Sequence, residues 1–396
     1  MEITNKKLGN IHKKISRGEP VKIMIIGLGS VGNYLLDYLM QWNYANIEIH
    51  VCGRNVSKIE TDINIVKVAN IIKYDTSKPI FIHELDLNNI SSIEKVLKDT
   101  NPDFIVNTSR VYSGLKYGSI SWNNIRAYGL WCPLAVSYIR NVMTAYGNAE
   151  SSAIVINTSY SDGVNAWLKT AGLPYPDFGS GNLNHLIPRI KMAVLDILNE
   201  DISEIDNIDI TLCTSHFHDV LISKEGITEG VYPLLNVRYK GQVLEKNEDD
   251  IYKKCTIPMP VDAKRNMMNA SSNFEIISKI ILASKNNSKN KFHSPGVFGL
   301  IGGYPVIVDF SNSNNGKFIY IDETYWSLSE MMDINRRSIY LDGVENVIDG
   351  QLIWTDELIS KVKNKFKCDI PKVVPFNKIS DTASMIINDI ITPNVG

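Results

Sequence analysis

Apolar and polar residues along the chain fall into two textures. From Val21 to about Asn157, short apolar runs alternate with amphipathic stretches: "KIMII", "IEIHVCG", "KPIFIHELDL", "DFIVNTS" and "SAIVINTS" read as strands. Between them, Val31, Leu35, Tyr38, Leu39 and Trp42 recur at helical spacing, "ISSIEKVLKDT" reads as a helix, and the stretch from about Trp122 to Tyr146 reads as mostly helical. Near-continuous β-branched runs predict strands buried on both faces, and their alternation with helices predicts a parallel sheet.

Beyond about Asp201 the strands follow one another through turns. "IDITLCTSHF", "YPLLNVRYKGQVLE", "GVFGLIGGYPVIVDF" and "KFIYIDE" predict antiparallel pairing, with "SSNFEIISKIILASK" a helix among them. The Asn-rich "NNSKNK" and "SNSNNGK" have too little to bury and are predicted as exposed loops. The expected fold class is α/β: a doubly wound, parallel-sheet Rossmann domain with a second α+β domain for substrate or dimerisation. The boundaries are a polar segment at 1–20, the Rossmann domain at 21–200, the α+β domain at 201–326, and a C-terminal segment at 327–396 expected to pack back on the first domain.

Length and composition narrow the function. A chain of 396 residues exceeds the roughly 100–200 that one domain occupies, and 44% hydrophobic content supplies a large core. A net charge of -2 gives no field for a polyanion, so neither nucleic acid nor an anionic membrane surface is an expected partner. No run approaches the ~18 apolar residues of a membrane span, and the first twenty residues lack the apolar centre of a secretory signal. Five cysteines with no Cys-x-x-Cys pair suggest neither a disulfide framework nor a thiolate metal site, as suits a cytoplasmic protein. The expected partner is a small molecule.

"GLGSVG" follows an apolar strand and opens a helix, the context in which Gly-x-Gly-x-x-Gly binds a dinucleotide. Gly27 permits the tight turn, Gly29 lets backbone N–H groups approach a pyrophosphate, and Gly32 lets helix and sheet pack closely, with Ser30 and Val31 at the helix start. The second strand ends Gly53-Arg54-Asn55, with no acid to hold a ribose 2'-OH, and Glu48 lies inside the strand. Arg54 suits a 2'-phosphate, so NADP is expected over NAD, with Asn55 beside it. Asp86 and Leu87 end the third strand near the adenine path, and Asn107, Thr108 and Ser109 end the fourth along the ribose and nicotinamide path. Asp, Asn, Thr and Ser favour turns and caps in any case.

"GLGSVGNYL", "CGRN", "LDL" and "PDFIVNTS", in this order, resemble the cofactor domain of the saccharopine dehydrogenase-like oxidoreductases, cousins of the extended short-chain dehydrogenases. "INTSYSDGVNAWL", "GSGNLNHLIPRIK" and "GLIGGYPV" resemble a less characterised branch of that group. The resemblance implies an NAD(P)-dependent two-domain enzyme, a homodimer, acting on an amino-acid-like or imine substrate. The short-chain Tyr-x-x-x-Lys pair is matched in letters by Tyr112 and Lys116, but Gly114 between them argues against a shared helix face.

Hydride transfer belongs to the nicotinamide, while the protein orients the substrate and moves a proton. Tyr160 and Asp162 leave a strand at the sheet edge, placed to point towards the nicotinamide or substrate, with Tyr160 a catalytic candidate alongside His216 and His218, while Asp162 equally suits a helix N-cap. Asn182, His185, Arg189 and Lys191 line a segment between the domains, where Arg189 is placed either to clamp a substrate carboxylate or to form an inter-domain ion pair. His216 and His218, two apart in a predicted strand, share one face and suit proton transfer, substrate binding or a structural role. They lack the third ligand of a metal site, so no metal is expected. Tyr304 follows a Gly-rich turn, fit either for a ligand or for a hairpin corner. The reading is an NADP-preferring oxidoreductase reducing a C=N or C=O bond of a small carboxylated metabolite. The alternatives are an NADP-binding redox sensor without turnover and an extended short-chain-type alcohol dehydrogenase using Tyr112 and Lys116.

Overall fold

The computed structural model describes residues 1–44, 46–311 and 316–394. Strands β1 (Val21–Ile26), β2 (Ile47–Gly53), β3 (Ile80–Glu84), β4 (Phe104–Asn107), β5 (Ile154–Asn157) and β6 (Phe178–Gly179) form one parallel sheet in the order β3-β2-β1-β4-β5-β6. Side chains of alternate residues enter opposite cores. Ile23, Ile25, Phe104, Val106, Ile154 and Ile156 pack on one face, and Met24, Ile26, Ile105 and Val155 on the other. Burial of both faces is what the near-continuous apolar runs predicted. Helix α1 (Glu2–Ser16) precedes the sheet, and α2 (Ser30–Gln41), α3 (Val56–Tyr74), α4 (Ile90–Thr100), α5 (Gly114–Ile120), α6 (Cys132–Asn148) and α7 (Ser161–Thr170) connect its strands. The strand order reverses beside β1, so the crevice at the carboxyl ends of β1 and β4 is where such sheets take ligands.

The second half contributes α8 (Leu186–Leu198), β7 (Ile208–Cys213), α9 (His216–Glu225), β8 (Leu234–Tyr239), β9 (Gln242–Val243), α10 (Glu248–Lys254) and α11 (Asn266–Asn286). It continues with β10 (Lys289–Pro295), β11 (Gly303–Asp309), β12 (Ile319–Ile321), α12 (Leu328–Leu341), β13 (Val344–Ile348), β14 (Gln351–Trp354), α13 (Asp356–Phe366), β15 (Val373–Pro375) and α14 (Ile379–Met385). Among the described residues these strands form the antiparallel sheets β7-β8-β9, β10-β11-β12 and β13-β14-β15. The Gly303 N–H donates to the Thr214 carbonyl at 3.0 Å and joins the end of β7 to the start of β11. Helix α11 packs along α2, and Ile379, Ala383 and Ile386 share a core with Val136, Ile139 and Met143 of α6.

Several elements differ from expectation for physical reasons. The polar N-terminal segment is helix α1: Leu8 and Ile11 are buried, and Lys7 and Thr4 bond the buried Asp177 at 2.7 and 2.8 Å. The stretch from Trp122 is not one helix. A π turn at Ser121–Ile125 ends at left-handed Arg126 (φ 53°), and α6 starts at Cys132 with Pro133 in its first turn. "NNSKNK" is not all loop, because Lys289 opens β10 and pairs with β11. Residues 312–315 of "SNSNNGK" lie outside the described residues. Gly114 starts helix α5 instead of breaking one, so Tyr112 stands before the helix that carries Lys116. The segment "TSHFHDV" leaves β7 at Cys213 and turns helical at His216, so the two histidines are on a helix and not a strand. Helical residues two positions apart are about 200° apart around the axis, which sends their side chains to different faces.

Candidate active site

The glycine loop has the geometry of an anion cradle. Gly27 sits at φ +91°, where an L side chain is strained, and its N–H donates to the Cys52 carbonyl at 2.9 Å. A Cβ on Gly32 would lie 2.2 Å from the Gly27 carbonyl oxygen, so no side chain fits where helix meets loop. A Cβ on Gly29 would meet nothing within 4 Å. Gly29 thus faces open space at the N-terminus of α2, where the first-turn N–H groups, those of Ser30 and Val31 among them, have no partner inside the helix. That arrangement fits a dinucleotide pyrophosphate.

The other cofactor residues of the sequence reading divide into two kinds. Arg54 stands exposed just beyond β2, with no hydrogen bond or ion pair from its side chain to the described residues. Asn55 caps α3 by accepting from the Lys58 N–H at 2.9 Å, and Asp86 closes its own turn by accepting from Asn88 at 3.0 Å, with Leu87 buried beside it. The Thr108 hydroxyl donates to the Gly27 carbonyl at 2.6 Å, so it shapes the loop. Asn107 is buried, donating to Asn157 at 3.1 Å and accepting from the Ser109 hydroxyl at 2.5 Å. Thr108 and Asn107 hold the ends of β1, β4 and β5 together.

A charged cluster lies beyond the carboxyl end of β5. Tyr160, left-handed at φ 44°, leads into α7, and its hydroxyl donates to Asp342 Oδ2 at 2.6 Å. His216 Nδ1 meets the same oxygen at 3.0 Å, and Asp342 Oδ1 accepts from the Tyr128 N–H at 2.6 Å. The His216 ring lies between Tyr128 and Tyr160, at 4.8 and 5.1 Å between centroids. Burial works against the imidazolium, but the charge and hydrogen bond of Asp342, together with the charges of Asp162 and Asp219, raise the His216 pKa. Its Nε2 has no hydrogen bond to any described residue. Asp162 is not the N-cap of α7: it accepts from the His216 N–H at 2.9 Å, and burial pushes its carboxyl up to about 6.

Helices α8 and α9 face each other at their first turns. His185 and Arg189 are four apart at the start of α8, and His216 and Asp219 three apart at the start of α9, spacings that bring each pair onto one face. Burial pushes His185 down to about 3 and Asp219 up to about 6. His185 Nε2, Arg189 Nε and Asp219 Oδ1 are buried with no partner. Such groups are costly unless something bonds them. The Arg189 fork is already occupied by the Cys255 carbonyl at 2.9 Å and Met259 Sδ at 2.9 Å, so it is not free to clamp a carboxylate bidentately. In this cluster Arg265 has an unengaged guanidinium: it acts electrostatically on His185, Arg189, Asp219 and Tyr128 and makes no side-chain hydrogen bond or ion pair among the described residues. Its neighbour Asn266 donates to Ser30 of the glycine loop at 2.5 Å, which sets the cluster beside the cradle.

Other predicted residues lie apart. His218 is fully buried with both nitrogens engaged, Nδ1 with the Ser338 hydroxyl at 2.6 Å and Nε2 with the Thr228 carbonyl at 2.9 Å, which leaves no atom for proton transfer. Tyr304 is buried in the core of β11 and donates to the Ile301 carbonyl at 2.8 Å, a hairpin corner. Asn182 lies half-buried in the turn before α8, and Lys191 donates to the Ile205 carbonyl at 3.3 Å. Lys116 Nζ lies over the Tyr112 ring, 5.7 Å from its centre. Among the described residues no three His, Cys, Asp or Glu side chains are arranged to hold a metal, and no helix is long and apolar enough to cross a membrane. Asp342 and Arg265 went unread in the sequence. Asp342-Gly343 shows there as a turn and Arg265 as part of a polar run.

Residues 23–124 match the model of the NAD dependent epimerase/dehydratase family. No curated protein matches the chain. Among solved structures, malate dehydrogenase from Plasmodium falciparum is 17% identical with a TM-score of 0.50, over 81% of this chain and 95% of that one. The two chains share a Rossmann-type fold. Lactate dehydrogenase from Eimeria maxima, solved with NADH and oxamate, is 13% identical with a TM-score of 0.50, over 81% of this chain and 92% of that one. At such identities the likeness is one of fold, and the chemistry rests on the residues described above.

Proposed function

We propose that this chain is an NADP-preferring oxidoreductase that reduces the C=O or C=N bond of a small carboxylated, amino-acid-like metabolite. The observation that carries the reading is His216: buried at the carboxyl end of the parallel sheet, held by Asp342 through Nδ1, with Nε2 unengaged. A bound dinucleotide supplies the hydride. His216 Nε2–H gives its proton to the substrate oxygen or nitrogen as the carbon is reduced, leaving a neutral imidazole whose Nδ1–H stays on Asp342. Arg265 receives the substrate carboxylate, the role that the sequence reading gave to Arg189. The resemblance to saccharopine dehydrogenase-like enzymes supports the amino-acid-like substrate. Exposed Arg54 supports NADP. The exposed stripe Ile65, Val68 and Ile72 on α3 supports a homodimer, which light scattering tests.

Fluorescence titration with NADPH and NADH tests the cofactor, and NADPH consumption across a panel of keto acids, with and without amines, tests the reaction. The expected outcome is tighter binding of NADPH, a preference that Arg54→Ala removes. Binding of neither nucleotide would overturn the reading, and equal binding would remove its NADP part. A redox sensor without turnover would bind NADPH yet consume none with any substrate.

A further inference from the structure

The carboxylate of Asp342 makes three contacts on three separate parts of the chain. It takes the His216 ring and the Tyr160 hydroxyl on Oδ2, at 3.0 and 2.6 Å, and the Tyr128 N–H on Oδ1, at 2.6 Å. Its backbone carbonyl accepts from the Gly129 N–H at 2.9 Å. The approach is close enough that a Cβ on Gly129 would lie 2.6 Å from that carbonyl oxygen. Asp342 itself is fully buried at the turn between α12 and β13. It thus joins the segment after β4, the segment after β5 and the first turn of α9, all of which border the crevice of the sheet.

We infer that Asp342 is the positioning residue of this site: it fixes the His216 ring through Nδ1 so that Nε2 faces the substrate, and it fastens the segment after β4 against the same ring. The inference rests on the proton-transfer role proposed for His216. A histidine whose Nδ1–H is held by a carboxylate has one tautomer and one ring orientation, so Nε2 is the acceptor when neutral and the donor when charged. Sharing of Oδ2 with Tyr160 tempers this hold, because the hydroxyl draws on the same lone pairs and charge. The other groups that face His216 are Asp162 after β5, Asp219 on its own helix, Tyr128 after β4, and His185 on α8. Arg189 on α8 and Arg265 before α11 act on Asp219 and His185 around it. Asp162 and Asp219 support the charged ring, but neither carboxylate touches a ring nitrogen, so neither fixes the tautomer.

Histidine NMR on the full chain tests the assignment without any substrate, with the His216 signal identified by its loss in His216→Gln. Asp342→Asn keeps an acceptor for the Tyr128 N–H and removes the charge. His216 is then expected to bind its proton about tenfold more weakly, one pH unit lower, with the neutral ring no longer confined to the Nδ1–H tautomer. Tyr160→Phe frees the shared oxygen and is expected to strengthen proton binding by His216, about threefold. If Asp342→Asn does not fold, Tyr160→Phe alone decides. An unchanged His216 titration in Tyr160→Phe, or in a folded Asp342→Asn, overturns the inference. Nucleotide titration of the same samples separates the two claims. A His216 titration that the substitutions leave unchanged, with NADPH binding intact, refutes only the role of Asp342, and absent NADPH binding with the titration changed as expected refutes only the oxidoreductase reading.

Discussion

Replacing Gly29 by alanine separates what the loop needs for folding from what it needs for a ligand. Gly29 has φ -80° and ψ -165°, an extended conformation open to any residue, and its added Cβ would meet no protein atom within 4 Å. Gly→Ala at such a compatible position stabilises by about 0.4–1 kcal/mol, through the reduced freedom of the unfolded chain. The melting temperature is therefore expected to hold or rise by up to about 2 °C. A bound pyrophosphate would occupy the space that the methyl enters. Displacing it from even one or two charge-assisted N–H contacts, at about 1.5–3 kcal/mol each, weakens binding by about 10- to 100-fold or more. Gly32→Ala is the contrasting control. Its Cβ falls 2.2 Å from the Gly27 oxygen and 3.2 Å from Thr108 Oγ1, so helix or loop must move, at about 1–3 kcal/mol of stability as well as affinity. Nicotinamide fluorescence titration and thermal melting read both quantities. NADPH affinity in Gly29→Ala equal to that of the parent would refute the placement of the cofactor, and a drop in its melting temperature would refute the view that the cradle is open.

The two neighbouring histidines are expected to part company. His218→Leu leaves the Thr228 carbonyl without its imidazole partner and Ser338 Oγ with the Ser215 hydroxyl in place of two close partners, and should lower stability by about 2–4 kcal/mol in urea unfolding, whereas His216→Gln should keep nucleotide binding and lose about 10²- to 10⁴-fold in turnover. Equal stability losses in the two variants would contradict this assignment. The buried acids give a pH signature: Asp162 is raised to about 6 by burial, so the folded state holds its proton where the unfolded state has lost it. Its favourable contribution is fully present below about 3.8 and is lost as pH rises through about 6. His218, lowered to about 4 by burial, has the opposite slope, with stability lost as pH falls from 6.5 towards 4. Asp162→Asn, whose amide oxygen still accepts from the His216 N–H, should remove this share, so urea midpoints of variant and parent should diverge between pH 4 and 6 in favour of the parent at the acid end. Parallel curves would show that Asp162 is not perturbed.

The parallel sheet was legible because its information is local. Each strand from β1 to β5 is an apolar run, each flanking helix carries its own periodicity, and Gly27, Gly29 and Gly32 announce the turn that their backbone requires. Helix α1 was missed because only Leu8, Ile11 and Ile15 mark its buried face, while Lys7 is buried through an ion pair to Asp177, 170 residues away. The period of two in "SHFHD" misled for a related reason. Over five residues it cannot be told from a helical start, and Ser215 at the N-cap position decides only once the end of β7 is fixed by its pairing with β8.

The residues around His216 show where local reading ends. His216 was visible as a chemical type, but its partner Asp342 lies 126 residues away, and Tyr160 and Tyr128 reach the same carboxylate across 182 and 214 residues. Every one of these residues has an adequate local explanation: Asp342-Gly343 makes a turn, Tyr160 precedes a helix, and Tyr128-Gly129 interrupts one. A turn aspartate on the surface would explain the same letters. What distinguishes Asp342 is full burial with both oxygens occupied, and that follows from the way β13–β15 dock on α7 and on the segment before α6. Gly129 permits that docking by having no Cβ to block the Asp342 carbonyl, so the residue that admits the carboxylate is as informative as the carboxylate itself. A buried charge survives only where its partners are already in place. The position of His216 is therefore a property of the completed fold, set by the packing of the C-terminal segment and not by the helix that carries the ring.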